Sequence, residues 1–130
     1  MEYVFPEITN SLLLKYAEAS EDYNPIHISE EVAKQIGYKN VIAHGMLLMG
    51  FAHSAICNWF PEDRLEEFKI KFVNVTYPGD TLICLGRITK QVKHGGMEVI
   101  YGSFKIVDTV CSQTKCLGKF KIRQYKILKE

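Results

Sequence analysis

The sequence carries almost no excess charge: 16 lysines and arginines stand against 15 aspartates and glutamates in 130 residues, a formal net charge of +1. A nucleic-acid binder needs a basic footprint, and this balance shows none. The basic residues near the C-terminus, Lys115, Lys119, Lys121, Arg123 and Lys126, are spread along what reads as an edge strand and tail, a solvated face. Cysteine is also sparse. Cys57, Cys84, Cys111 and Cys116 lie in apolar or strand-like surroundings, and the one close pair, Cys111 and Cys116, has neither CxxC spacing nor a nearby histidine, which argues against zinc. The N-terminus lacks the charged, apolar and small-residue succession of a signal peptide, so these are expected to be reduced thiols in a cytoplasmic protein. The longest nearly apolar stretch, Met46 to Phe60, is interrupted by His53, Ser54 and Asn58 and is too short to span a bilayer. No repeat, low-complexity run or linker divides the chain, and its length fits one domain over residues 1–130.

Local patterns then place the elements. Thr9 or Asn10 can cap a helix running to about Ser20, because Leu12, Leu13, Tyr16 and Ala17 share one face. Ser29 followed by Glu30 and Glu31 reads as the start of a short second helix, whose inner side is Val32, Ala33 and Ile36 and which Gly37 stops. From Met46 to Phe60 the residues are apolar on almost every face, so this third helix is expected to be buried, with Pro61 ending it. From about Glu66 the period becomes two: Phe68, Ile70, Phe72 and Asn74 alternate with Lys69, Lys71 and Val73. Pro78-Gly79-Asp80 and Gly95-Gly96 are turn signals that separate strands over Thr81–Val92 and Met97–Val110, and a last strand runs from Lys115 to Tyr125. A buried helix followed by consecutive antiparallel strands is an α+β layout, most simply a sheet wrapped around that helix. One helix cannot cover such a sheet on both sides, so at least a dimer is expected.

Two short segments carry chemistry. Asp22-Tyr23-Asn24-Pro25-Ile26-His27 puts a carboxylate and an imidazole on one tight loop, the pairing that proton transfer at a carbon acid requires. Asn24 can bond its own backbone and Pro25 fixes φ, so both hold Asp22 and His27 at a set distance. Ala43-His44-Gly45-Met46 opens the apolar helix and sets a glycine amide at its N-terminus, where backbone donors and the helix dipole can hold negative charge developing on an oxygen. Without a Cβ, Gly45 would let a substrate carbonyl approach that amide closely. No histidine and carboxylate grouping has metal-ligand spacing along the sequence, so neither a metal nor a cofactor is required.

Read together, Ser20 to His27 and Val41 to Leu47 resemble the DxNPxH and AHGM signatures of the MaoC-like branch of the hot-dog fold, which comprises (R)-specific enoyl-CoA hydratases and (3R)-hydroxyacyl thioester dehydratases. Within that family the sequence is most similar to the catalytic subunit of heterodimeric (3R)-hydroxyacyl-ACP dehydratases, with the stand-alone (R)-hydratases also open. The resemblance implies a hot-dog sheet around the long helix. It makes Asp22 and His27 the catalytic pair and the Gly45 amide the oxyanion donor, with Asn24, Pro25, His44, Met46 and His53 shaping the substrate site. Asp22 and His27 would hold one water, direct its oxygen to the β-carbon and deliver a proton to the α-carbon on the same face, giving a (3R)-hydroxyacyl product. His44 reads best as a buried structural donor, and His53 departs from members that carry a serine near that position. The implied substrate is an acyl-CoA or acyl-ACP thioester, and the implied assembly a homodimer or a heterodimer with a second hot-dog subunit, with no nucleic-acid or membrane partner.

Three other functions compete. Many hot-dog thioesterases draw a carboxylate from the central helix region, but from Val32 to Pro61 there is no Asp or Glu. A non-catalytic acyl-binding subunit would be expected to lack Asp22 and His27, and both are present. An acyl-CoA-responsive regulator would need a helix-turn-helix or a basic face for DNA, which the sequence does not offer.

Overall fold

The computed structural model describes residues 1–61 and 64–125; Lys126, assigned above to the basic tail, lies outside them. Thr9 caps helix α1 (Asn10–Ser20) by accepting from the Leu12 amide at 3.0 Å, and Leu13 and Ala17 turn inward. The helix ends at Glu21, whose left-handed backbone (φ 58°) swings the chain straight into Asp22. A single 3-10 turn over Pro25–His27 leads to α2 (Glu30–Ile36), capped by Ser29 and closed by Gly37 at φ 117°, a conformation glycine adopts without a Cβ clash. The long helix α3 covers Gly45–Trp59.

Five strands, β1 (Glu2–Val4), β2 (Arg64–Phe72), β3 (Leu82–His94), β4 (Met97–Asp108) and β5 (Thr114–Tyr125), form one antiparallel sheet in the order β1-β3-β4-β5-β2. The sequence pattern does not reveal β1, three residues just ahead of Phe5 and Pro6. Nor is β5 an edge strand as expected: it lies between β4 and β2, and the edges are β1 and β2. Lys115 departs furthest from the solvated-face reading. Its side chain is 3% exposed, pairs with Asp80 at 3.2 Å and donates to the Val75 carbonyl (2.9 Å) and to Gln113 (2.6 Å). A buried ammonium is tolerated only with partners of this kind, and here it anchors the turn whose Thr76 carbonyl accepts from the Ala43 amide at 2.8 Å.

Leu47, Leu48, Ala52, Ala55 and Ile56 of α3 pack into the core with Phe104, Ile106, Phe120 and Ile122 of the sheet. The expectation of all-round burial needs correction, because Met46, Gly50, His53, Ser54, Cys57 and Asn58 form an exposed stripe along the helix. The sheet covers one side of α3 only. Glycines let the inner face of the sheet curve closely. The Phe104 ring fills the space above Gly118 on the neighbouring strand, the Phe120 ring that above Gly102, and Trp59 of α3 that above Gly86. Among the described residues no helix is long and apolar enough to cross a membrane.

A methyl group on Gly118 would run into both the Phe104 ring and the Lys69 carbonyl oxygen, a backbone atom that cannot swing aside. Gly118→Ala is therefore expected to lower unfolding free energy by about 1–3 kcal/mol, the usual cost of overpacking. On the open stripe of α3 nothing lies within 4 Å of a Cβ on Gly50, so Gly50→Ala should raise helix stability by up to about 1 kcal/mol. Urea denaturation of both variants checks the contrast, and equal midpoints would refute the packing account.

Candidate active site

Asp22 to His27 is held by its own side chains. The Asp22 amide donates to Ser20 Oγ at 3.3 Å, the Asn24 amide to Asp22 Oδ1 at 3.2 Å, and the Ile26 amide to Asn24 Oδ1 at 3.3 Å. These are successive Asx-type turns. Pro25 occupies the first position of the 3-10 turn, where a missing N–H costs nothing. One Asp22 oxygen is thus committed to the loop, and the other, Oδ2, lies 4.0 Å from His27 Nε2. The Asp22 side chain is half exposed and that of His27 is 10% exposed, so the pair faces water from one side only.

A residue far along the chain fixes the His27 ring. Its Nδ1 lies 2.7 Å from the Ile42 carbonyl oxygen. A carbonyl only accepts, so Nδ1 carries the proton and Nε2 is left with a lone pair directed at the Asp22 side. Ile42 also donates its amide to the Ile26 carbonyl at 3.1 Å, tying the same two segments together. His44 repeats the logic: its Nε2 donates to the Asp22 backbone carbonyl at 3.1 Å. Its ring stacks on His27 (centroids 3.9 Å, planes 24° apart) and meets the edge of Tyr16 at 4.8 Å. The ring is buried and its Nδ1 has no hydrogen-bond partner. Burial lowers its pKa from the ordinary histidine value, against the opposing bond to the Asp22 carbonyl, and the neighbouring His27 lowers it further. His44 thus stays neutral where an ordinary histidine begins to charge.

Gly45 opens α3 directly after His44, and no His44 side-chain bond caps the helix. The first amides of a helix have no acceptor within it, so those of Gly45 and Met46 mark its positive end beside the imidazole stack. A Cβ on Gly45 would lie 3.3 Å from Phe72 Cζ. The Phe72 ring thus lies against the side of Gly45 on which a Cβ would stand. Met46 is 62% exposed. His53 lies eight residues beyond Gly45, about 12 Å along the helix axis, and contacts Cys57 and Phe68 instead of the Asp22–His27 pair. The structure therefore gathers Asp22, Asn24, Pro25, His27, His44 and Gly45 and leaves His53 apart. Ile42, Phe72 and Tyr16 join the site without having been singled out for it; Tyr16 left a signal on the apolar face of α1 and Phe72 in the β2 alternation.

Folding also creates a grouping that spacing along the chain conceals, since ligand atoms of Asp22, His27 and His44 lie within 4.8 Å of one another. An ion bound by two imidazoles must sit near both ring planes, about 2.0–2.1 Å from each nitrogen. Planes only 24° apart, with centroids 3.9 Å apart, do not converge that near the rings. The stack packs the two histidines and does not aim them at one point.

A family model described as "MaoC like domain" matches residues 6–109. The chain belongs to the MaoC-like domain family. It is 34% identical over 90 residues (69% of this chain, 9% of the relative) to the peroxisomal hydratase-dehydrogenase-epimerase of Saccharomyces cerevisiae. It is 38% identical over 86 residues (63% and 26%) to the peroxisomal enoyl-CoA hydratase 2 of Arabidopsis thaliana, and 34% identical over 70 residues (54% and 42%) to the mitochondrial 3-hydroxyacyl-[acyl-carrier-protein] dehydratase of the same plant. The MaoC-like chain thus aligns with between 9% and 42% of the length of these relatives. The R-hydratase PhaJ1 of Pseudomonas aeruginosa superposes with a TM-score of 0.82 at 21% identity, over 100% of this chain and 85% of that one. The (R)-hydratase from A. caviae does so with a TM-score of 0.81 at 17% identity, over 98% and 95%. The MaoC-like fold here is the hot-dog fold, a sheet wrapped on a central helix.

His44 generates a pH prediction. A histidine whose folded pKa lies below its unfolded value takes up a proton preferentially on unfolding, so its contribution to stability is complete above the unfolded pKa of about 6.5 and is lost as pH falls toward the folded value. Unfolding free energy is expected to drop between pH 7.5 and 5.5. In His44→Gln, which keeps a donor for the Asp22 carbonyl but does not titrate, that slope should flatten. Parallel denaturation curves at the two pH values decide it, and an unchanged slope in the variant would overturn the assignment.

Proposed function

We propose that this MaoC-like chain reversibly hydrates trans-2-enoyl thioesters to (3R)-hydroxyacyl thioesters, the acyl group being carried on CoA or on an acyl-carrier protein. The observation that carries this reading is the arrangement of two acceptors across a gap: the Asp22 Oδ2 carboxylate oxygen and the tautomer-fixed His27 Nε2, 4.0 Å apart. That separation is too long for a direct hydrogen bond. A water donating to both through bonds of about 2.8 Å along its two O–H directions spans about 4.4 Å, close to the gap. Both of its protons would then be engaged and its oxygen lone pairs turned outward.

Hydration follows from that geometry. The water oxygen adds to the β-carbon while His27 Nε2 takes one of its protons, and the electron pair of the double bond moves through the α-carbon onto the thioester oxygen. The Gly45 amide at the positive end of α3 supports this oxygen. The enolate collapses by taking the proton back at the α-carbon, so the elements of one water add across the double bond from the face on which it was held. Asp22 orients and accepts, His27 shuttles the proton, and Asn24 and Pro25 keep the loop in register. His44 holds the Asp22 carbonyl and the His27 ring as a neutral positioning residue. Dehydration reverses each step.

The exposed stripe of α3, together with exposed Phe72 on the edge strand β2 and Val73 beyond it, supports a two-subunit assembly, as a homodimer or with a second hot-dog chain. The structure of the HadBC (3R)-hydroxyacyl-ACP dehydratase complex from Mycobacterium tuberculosis, a fold neighbour (TM-score 0.74, 15% identity, over 95% of each chain), is an example of the latter kind. All four cysteines are free, and burial pushes the Cys84 and Cys116 thiols up to about 12, which keeps them protonated and poor nucleophiles.

Crotonyl-CoA hydration, followed by loss of enoyl absorbance with the configuration of the product determined, should yield the (3R)-alcohol. Asp22→Asn and His27→Ala should each lower turnover about 10²- to 10⁴-fold while thermal unfolding stays cooperative. Near-native turnover in either variant would sink the two-residue mechanism. A folded wild-type chain inert toward both CoA-bound and carrier-protein-bound enoyl substrates would sink the assignment itself.

A further inference from the structure

The outer face of the sheet, opposite α3, holds a charge concentration that the net charge of the chain conceals. Register aligns Lys69, Lys119, Ser103 and Arg87 in one row across β2, β5, β4 and β3, and Lys71, Leu117, Lys105 and Leu85 in the next. These two rows line a cavity of about 850 Å³ with no carboxylate in its wall, and a second of about 610 Å³ adjoins it, sharing Lys69, Arg87, Ser103 and Lys119. Lys69, Lys71, Arg87, Lys105 and Lys119 are all exposed, and among the described residues none is in an ion pair. Of the carboxylates on this side, Glu66 is taken by Lys121 and Arg123, and Glu67 stands in the wall of the second cavity beside Lys90, leaving the first without a negative charge. Five like charges left uncompensated on one face of a nearly neutral chain repel one another, a cost that a complementary ligand removes.

We infer that this trough docks an acidic amphipathic helix of a partner protein. Three strand-to-strand steps of about 4.8 Å make each row about 14 Å wide, which accommodates a helix of about 10–12 Å diameter with its side chains. Leu85 and Leu117 form an apolar floor between the cations, Leu117 being 44% exposed, and the buried seam of such a helix would cover it while its carboxylates meet the lysines. A second copy of this face does not fit, because it would bring five cations against five. Phosphate of a nucleic-acid backbone would leave the leucine floor wet, and a flat bilayer surface does not reach into a trough. The inference is independent of the chemistry proposed for Asp22 and His27.

The test uses fluorescence anisotropy with a labelled helical peptide presenting glutamates on one side and leucines on the other. Two controls share its charge: a peptide with serine in place of each leucine, and a labelled DNA duplex. Vesicles of anionic phospholipid are added as a competitor. The full chain should bind the Glu/Leu peptide, and the double variant Lys105→Glu/Lys119→Glu should bind it about tenfold or more weakly with unchanged thermal unfolding. Equal affinity for the serine peptide would remove the apolar floor from the account. Tighter binding of duplex, loss of the peptide to vesicles, or undiminished binding by the double variant would each overturn the inference.

Discussion

Ile42 is the residue on which the site depends. Its carbonyl accepts from His27 and its amide donates to Ile26, so one residue of the segment leading into α3 holds both the ring and the turn that bears it. Ala43, the next residue, hangs from Thr76, and the Thr76 turn hangs from the buried Lys115 through Val75 and Asp80. The result is a path of hydrogen bonds and short covalent links from the start of β5 to an imidazole more than eighty residues earlier in the chain. Geometry set before a ligand arrives is what preorganisation means, and here Lys115, Val75, Thr76, Ala43 and Ile42 set that of the His27 ring.

The two histidines show how similar bonds can lead to different duties. Each donates one ring N–H to a main-chain carbonyl, which fixes both tautomers. The free nitrogen of His27 opens toward Asp22 and water, whereas that of His44 is sealed without a partner. Leaving a buried acceptor unsatisfied is unfavourable, and the compensation is packing: the His44 ring fills the space between Tyr16 and His27. A charged His44 would be pressed against His27 with nowhere to place its second proton, so burial and the neighbouring ring both favour the neutral form.

Much of this was legible in the sequence because it is local. Thr9, Ser29 and Gly37 cap or close helices through atoms three or four residues away, and Asn24 and Pro25 shape their own turn. The pairing of Asp22 with His27 likewise needs only five residues of chain. What escaped depends on contacts made over long separations. No pattern in the sequence marks Ile42 as the acceptor for His27, or stacks His44 on a ring 17 positions earlier. The basic residues of β5 read as a solvated face, yet Lys115 stands at the start of that strand, and Asp80, from the connection between β2 and β3, draws it inward. The stripe on α3 was hidden by its composition, since methionine, glycine and cysteine read as core on a hydropathy scale whether or not anything covers them.

Phe72 has a consequence beyond packing. Its ring fills the space that Gly45 leaves, yet the residue is 46% exposed and belongs to β2, one margin of the sheet. Sheets recruit new strands at their margins, so whatever extends this one at β2 also decides how much of that ring stays wet. The polarity of the medium around the first amide of α3 is then not a property of the isolated chain. A strand added there would dry that ring and lower the local dielectric around the first amide of α3.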